Sequence, residues 1–384
     1  MIAYKLAARF IDVHSRKQSM FTIDAQQGQA RTGTLTVKSG KTITTPFFMP
    51  VCTKGTVKML TSKDLLATST QAIISNAFIL SIRPGLDVIK KFGGIHEFID
   101  WPGISFTDSG GFQMLQPNFL LGVGKRGIHF RNPFDKNKMV FTPEACAVIQ
   151  EAIGSDVAMI LDDVVHYGQE YDRMALAIMR TQAWTKRFLI THTREKQLVF
   201  GINQGGTFAD LRRKSSQLLA ELDIDGYAIG GLGIGESREQ MLDMIDVSIE
   251  ELDPKKPRYL MGVGSPLDII ESVAHGIDIF DSRFPTMNAR HGRIFTRKGF
   301  LDIKKAKHRD SELPLDENCT CRVCATYSRA FIRHLLTTDE RTGHQYTSFH
   351  NVFFIQQLMT ELQQAIAQGQ FDEYRQQFLV EWHQ

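Results

Sequence analysis

Short apolar, β-branched runs recur along this chain, and nearly every one stops at a glycine or a polar side chain. They fall at residues 72–80, 103–111, 157–163, 198–206, 227–233, 258–264 and 277–282, and their ends carry Asn76, Asp108, Asp162, Gln204, Gly230, Gly262 and Asp281. Between most of them lie stretches apolar on one face at helical spacing, such as residues 239–252. Strands alternating with helices predict a parallel sheet with helical crossovers. Seven such steps, with an eighth expected, favour an α/β fold of the (β/α)8 TIM-barrel type over a doubly wound sheet. In that architecture all strand ends converge on one face, and that face carries the chemistry. Ahead of this pattern, residues 32–50 alternate like an N-terminal β-hairpin turning at Ser39-Gly40-Lys41.

Residues 290–350 break the pattern. They hold Cys319-Thr320-Cys321-Arg322-Val323-Cys324, whose spacing is that of a metal knuckle. Three thiolates this close repel one another unless a soft cation holds them, and one structural Zn²⁺ in a closed four-ligand site is the expected solution. The fourth ligand is open among His308, His334, His344 and His350. Residues 352–366 read as an amphipathic helix. The expected organisation is therefore a barrel with its hairpin over 1–290, a zinc-binding basic subdomain inserted over 291–350, and a C-terminal helical segment over 351–384 that closes the barrel.

Composition excludes more than it selects. In 384 residues, 42% hydrophobic and 23% charged, the chain has the mix of a globular protein with a core, not of a disordered tail. An odd five cysteines argue against a disulfide framework. No apolar run is long enough to span a bilayer, and the start of the chain lacks a signal-peptide apolar region, so a cytoplasmic protein without a membrane partner is expected. Gly122-Val123-Gly124-Lys125-Arg126-Gly127 matches a dinucleotide fingerprint literally, but an extended segment follows where a helix is required, and the motif reads as a loop. No H-x-E or H-E-x-x-H occurs. The net charge of +3 is uninformative until it is resolved along the chain. Between Arg283 and Arg333 stand 12 Lys and Arg against five Asp and Glu, including Lys304, Lys305 and Lys307, which makes this stretch a candidate phosphate-binding surface.

Asp108 and Asp281, each at an expected strand end, form a pair suited to glycosidic-bond chemistry, in which one carboxylate attacks an anomeric carbon and the other moves protons. Asp162 and Gln204-Gly205-Gly206 add groups able to grip a polar heterocycle. In this order DSGGFQ (108–113), GINQGG (201–206), YAIGGLGIGE (227–236), YLMGVGSP (259–266), FDSRFPT (280–286) and the C-x-C-x2-C cluster with a downstream histidine resemble the tRNA-guanine transglycosylase (queuine tRNA-ribosyltransferase) family from about residue 20 onward. The resemblance implies a (β/α)8 barrel with an inserted zinc subdomain. It implies a pentosyltransferase that replaces guanine at the wobble position of GUN-anticodon tRNAs (Asp, Asn, His and Tyr type) by a 7-deazaguanine base, preQ1 or queuine. Carried over, Asp281 is the nucleophile and Asp108 the proton donor and acceptor. Asp162, Gln204, Gly230 and Gly231 bind the base, Phe112 and Met261 sandwich it, and Asn76 completes the substrate site. His350 joins Cys319, Cys321 and Cys324 on zinc, and Arg283 and Arg290 join the three lysines on RNA. A homodimer through the zinc region is also implied. The chain departs from the family pattern at Asn76-Ala77-Phe78-Ile79-Leu80, at Asp162-Asp163-Val164, which resembles the queuine-using eukaryotic form, and at Pro285-Thr286-Met287. The expectation drawn from Asp163-Val164 is that the shorter Asp163 alters which 7-substituent is accepted and that queuine is taken directly, as well as or instead of preQ1. The readings weighed against this one are a relative that inserts deazaguanine into DNA and a non-catalytic tRNA-binding partner subunit.

Overall fold

The computed structural model describes residues 20–111, 119–132, 135–193 and 195–382. Its centre is an eight-stranded parallel sheet: β4 (Phe47–Pro50), β5 (Ala72–Asn76), β6 (Ile104–Asp108), β10 (Val157–Met159), β11 (Leu198–Asn203), β12 (Gly226–Ile229), β13 (Arg258–Leu260) and β14 (Ile279–Ser282). β14 pairs in parallel with β4, and a bridge between Val51 and Ile74 joins β4 to β5, so the sheet closes into a barrel. The (β/α)8 architecture is thus present.

Its first strand corrects one boundary of the hairpin. Residues 30–45 do form antiparallel β2 (Ala30–Thr36) and β3 (Thr42–Thr45), joined at Gly40 and extended by β1 (Phe21–Gln27). Phe47, Phe48, Met49 and Pro50 are instead all buried, and β4 belongs to the barrel. A continuous apolar run is what a strand covered on both faces requires, whereas a hairpin strand alternates. The small sheet is tied beneath the barrel by Arg31, which is buried and donates to both oxygens of Asp278 at 2.9 and 2.6 Å, just before β14.

Two insertions leave the barrel at the carboxyl ends of strands. After β6 comes an antiparallel sheet of β7 (Leu120–Val123), β8 (Ile128–Arg131) and β9 (Lys138–Phe141). The G-x-G-x-x-G stretch is the end of β7 and the turn Gly124–Gly127, as a loop reading requires. After β14 come the helix Phe284–His291, the hairpin β15 (Arg293–Thr296) and β16 (Gly299–Asp302), and the cysteine cluster. The apolar centre of this second unit holds Ile294, Ile303, Leu315 and Val323, continuous with Phe349 and Val352. Those last two lie on the helix Arg341–Ala367, longer at both ends than the stretch legible in the sequence. Its Asn351 bonds the carbonyls of Pro285 and Arg293 at 3.0 Å each, while Gln356 bonds the carbonyl of Phe48 at 3.1 Å. One helix therefore serves both the cysteine-bearing unit and the barrel wall.

Candidate active site and metal centre

Parallel pairing places the expected groups in one ring. Asn76 and Asp108 are register partners at the ends of β5 and β6. Asp162 follows β10, Gln204 follows β11, Gly230 and Gly231 follow β12, Met261 follows β13, and Asp281 lies in β14. Phe112 lies outside the described residues.

Asp281 is held at one oxygen. Its Oδ1 accepts from the Tyr259 hydroxyl at 2.6 Å and from the Gly262 N–H at 2.8 Å, while Oδ2 has no partner among the described residues. Burial raises its carboxyl above the ordinary value, and those two donors oppose the rise. Asp108 is pushed up to about 8, first by burial and then by the charge of Asp281, with a smaller push from Asp162. Its Oδ1 is buried with no partner among the described residues. One carboxyl neutral near pH 7 therefore lies beside another whose Oδ1 is held by two donors. Such a pair can donate a proton on one side of a bond and attack on the other.

Asp162 is raised by burial to about 7 although Gln204 donates to its Oδ2 at 2.7 Å. Asn76 caps the next helical turn by accepting from Ile79 N–H at 2.7 Å, which leaves its buried Nδ2 without a partner among the described residues. The departure after Asn76 has a packing reason: Phe78 is buried edge-on to Phe130 and Phe141 of the inserted sheet. Gly110 (φ +82°) has to be glycine, since a Cβ there would meet Phe78 Cβ at 2.5 Å and Asn76 Oδ1 at 2.8 Å. Asp163 turns the other way from Asp162, onto Arg173 and Arg180 of the helix Tyr171–Thr191. Its carboxylate is thus spent on the barrel wall, which removes the basis for expecting it to choose the 7-substituent.

Two residues went unnoticed in the sequence. Tyr259 is fully buried beneath Asp281. Its signal was period-two spacing with Met261 in a strand ending beside an aspartate. Arg212 is fully buried in the helix Ala209–Ala220 and donates to the carbonyls of Gly206 and Gly230 at 2.8 and 2.9 Å. Within Asp210-Leu211-Arg212-Arg213-Lys214 nothing in the sequence sets it apart from its charged neighbours.

The metal-ligating atoms of Cys319, Cys321, Cys324 and His350 all lie within 4.8 Å of one another. The three sulfurs are 3.6, 3.6 and 3.3 Å from His350 Nδ1. The ring's Nε2 sits 2.8 Å from the Phe295 carbonyl, a contact that fixes the tautomer with Nδ1 free to ligate. The cluster could hold one metal ion, and a set of three soft thiols and one imidazole fits a closed tetrahedral site. His344 instead pairs with Asp339, and neither His308 nor His334 joins the cluster.

Arg283 is exposed and Arg290 half-buried, its guanidinium lowered by burial and by the charge of Arg283, so the two are near neighbours. Lys304, Lys305 and Lys307 are exposed and in no ion pair among the described residues. The stem of Lys304 lies over Gly292.

The family model described as queuine tRNA-ribosyltransferase matches residues 24–384. A protein of Desulforamulus reducens with that name is 43% identical over 351 residues, covering 91% of this chain and 95% of its own. One of Halalkalibacterium halodurans is 43% identical over 358 residues, covering 93% and 94%. A third, of Solidesulfovibrio magneticus, is 42% identical over 357 residues, covering 92% and 95%.

Proposed function

Since this chain belongs to the queuine tRNA-ribosyltransferase family, we propose that it exchanges guanine at the wobble position of GUN-anticodon tRNAs for preQ1 or queuine through a covalent aspartyl-ribose intermediate. The observation that carries this reading is the Asp281 carboxylate, pinned at Oδ1 by Tyr259 and Gly262 and open at Oδ2, beside a second carboxyl raised to about 8.

In this reading Asp281 Oδ2 attacks ribose C1′ as the bond to guanine N9 breaks. The electron pair leaves with the base, and Asp108 supplies its proton. The incoming base then gives its N9 proton to the Asp108 carboxylate and attacks C1′, and the ester to Asp281 breaks. Two inversions restore the configuration. Asp162, Gln204 and the Gly230–Gly231 backbone hold the base, Met261 and Phe112 flank it, and Asn76 contributes its open amide. The target nucleotide leaves its stack to enter. Arg283, Arg290, Lys304, Lys305 and Lys307 hold phosphates. Zn²⁺ on the Cys3His cluster is structural, because four protein ligands leave no position for substrate. The chain forms a homodimer through the zinc region, where Phe331 is exposed beside stacked Tyr327 and Tyr346.

The test is incorporation of labelled guanine, preQ1 and queuine into a tRNA panel and into duplex DNA. Exchange confined to GUN tRNAs and abolished by Asp281→Ala supports the reading. Full activity of that variant, or exchange into DNA alone, rejects it.

A further inference from the structure

A guanidinium is among the costliest groups to bury, and when buried it is usually matched to a carboxylate. Arg212 is fully buried and forms no ion pair among the described residues. Its Nε donates to the carbonyl of Gly206 at 2.8 Å, and Nη1 donates to Asn203 Oδ1 at 2.8 Å and to the carbonyl of Gly230 at 2.9 Å. Nη2 reaches the carbonyl of Gly231 at 3.4 Å. All these acceptors belong to the ends of β11 and β12, the two segments that flank the base pocket proposed above. Ser215 and Ser216 extend the same helix face, accepting from Gln204 N–H at 3.0 Å and from Asn203 Nδ2 at 2.8 Å. Packing alone would be met by an apolar side chain. This helix presents a fork of donors instead.

The fork decides which way one peptide faces. The Gly230–Gly231 bond is trans, so the Gly230 C=O and the Gly231 N–H point in opposite directions. With the C=O turned outward to Arg212, the N–H turns toward the barrel mouth. Gly230's own N–H is already spent on the Asn203 carbonyl at 3.0 Å, while the Gly231 N–H has no acceptor among the described residues. It stands beside Gln204, whose Oε1 would lie 2.7 Å from a Cβ at Gly231 (φ +68°).

We propose that Arg212 is a positioning residue for base exchange, holding and polarising the Gly230–Gly231 peptide so that its N–H donates to the carbonyl oxygen of the purine. A charged donor on one side of a peptide strengthens the hydrogen bond made on the other. Arg212 touches no substrate and acts only through that peptide. The proposal rests on the pocket being the base site.

Steady-state exchange with Arg212→Lys and Arg212→Gln tests it, with the KM for guanine and the KM for tRNA measured separately and folding followed by circular dichroism. Lysine keeps the charge but cannot fork. The expected result is a folded Arg212→Lys whose guanine KM rises roughly tenfold or more while its tRNA KM stays within about twofold, with Arg212→Gln worse in the same direction. Unchanged guanine KM in a folded variant, a proportional loss in both constants, or loss of the fold in both variants overturns it and leaves Arg212 a strut. Gln204→Ala separates the two layers of the argument. If that variant also leaves guanine KM unchanged, the pocket assignment has failed and not Arg212 alone.

Discussion

At the scale of single residues, the chemistry turns on Asp108 being neutral near pH 7 beside Asp281. Its carboxyl titrates near 4 in the unfolded chain and about 8 in the folded one. Between those values the folded state holds more protons, so this group's contribution is full below about pH 4 and is lost as pH climbs toward about 8. Asp108→Asn removes the titration. The gain in melting temperature over the parent should therefore grow from pH 5 to pH 8, and parallel melting curves across that range would contradict the assignment. For the parent, kcat should fall as pH rises through about 8, as the acid is lost. Tyr259→Phe deletes one of two donors to Asp281 Oδ1. A hydrogen bond to a charged group is worth about 1.5–3 kcal/mol, so kcat should drop roughly tenfold to hundredfold with KM for tRNA unchanged. An unaltered kcat would show that Gly262 alone suffices.

At the scale of elements, each strand end needed only a polar residue closing an apolar run, and that much was legible. Asp108, Asp162, Gln204 and Asp281 stood out because carboxylates and an amide closed several apolar runs at the same relative place. What lay hidden was everything that depends on direction. Phe47–Pro50 followed a hairpin so closely that its all-buried character was absorbed into the hairpin's alternation. Asp162 and Asp163 are adjacent and chemically alike, yet past the end of β10 one meets Gln204 and the other Arg173 and Arg180. Arg212 carries no mark in the sequence, since a charge on a helix is ordinarily solvated, and only the packing of Ala209–Ala220 against β11 inverts that expectation. The Asp163 contact makes a prediction of its own. Asp163→Ala strands two partly exposed guanidinium groups against the barrel, and chemical denaturation should register a loss of about 2–3 kcal/mol with the preference between preQ1 and queuine unchanged. A changed preference would return Asp163 to the pocket.

At the scale of the whole molecule, a near-neutral chain separates into a mildly acidic barrel and a basic, cysteine-clustered edge. The helix Arg341–Ala367 holds the two together, carrying His350 to the cysteines and Gln356 to β4. If that edge holds the tRNA backbone, replacing Lys304, Lys305 and Lys307 by alanine should weaken tRNA binding and flatten the salt dependence of its logarithm by about 2, as counterion release predicts for three lost contacts. An unchanged slope would make the run an ordinary solvated face. The central claim remains the bond between Asp281 and ribose. Enzyme incubated with a GUN-anticodon tRNA, denatured and digested for mass mapping, should yield a ribose ester on the peptide containing Asp281, absent from Asp281→Asn. A parent enzyme that exchanges guanine with no such adduct, or an adduct that survives in Asp281→Asn, would contradict it.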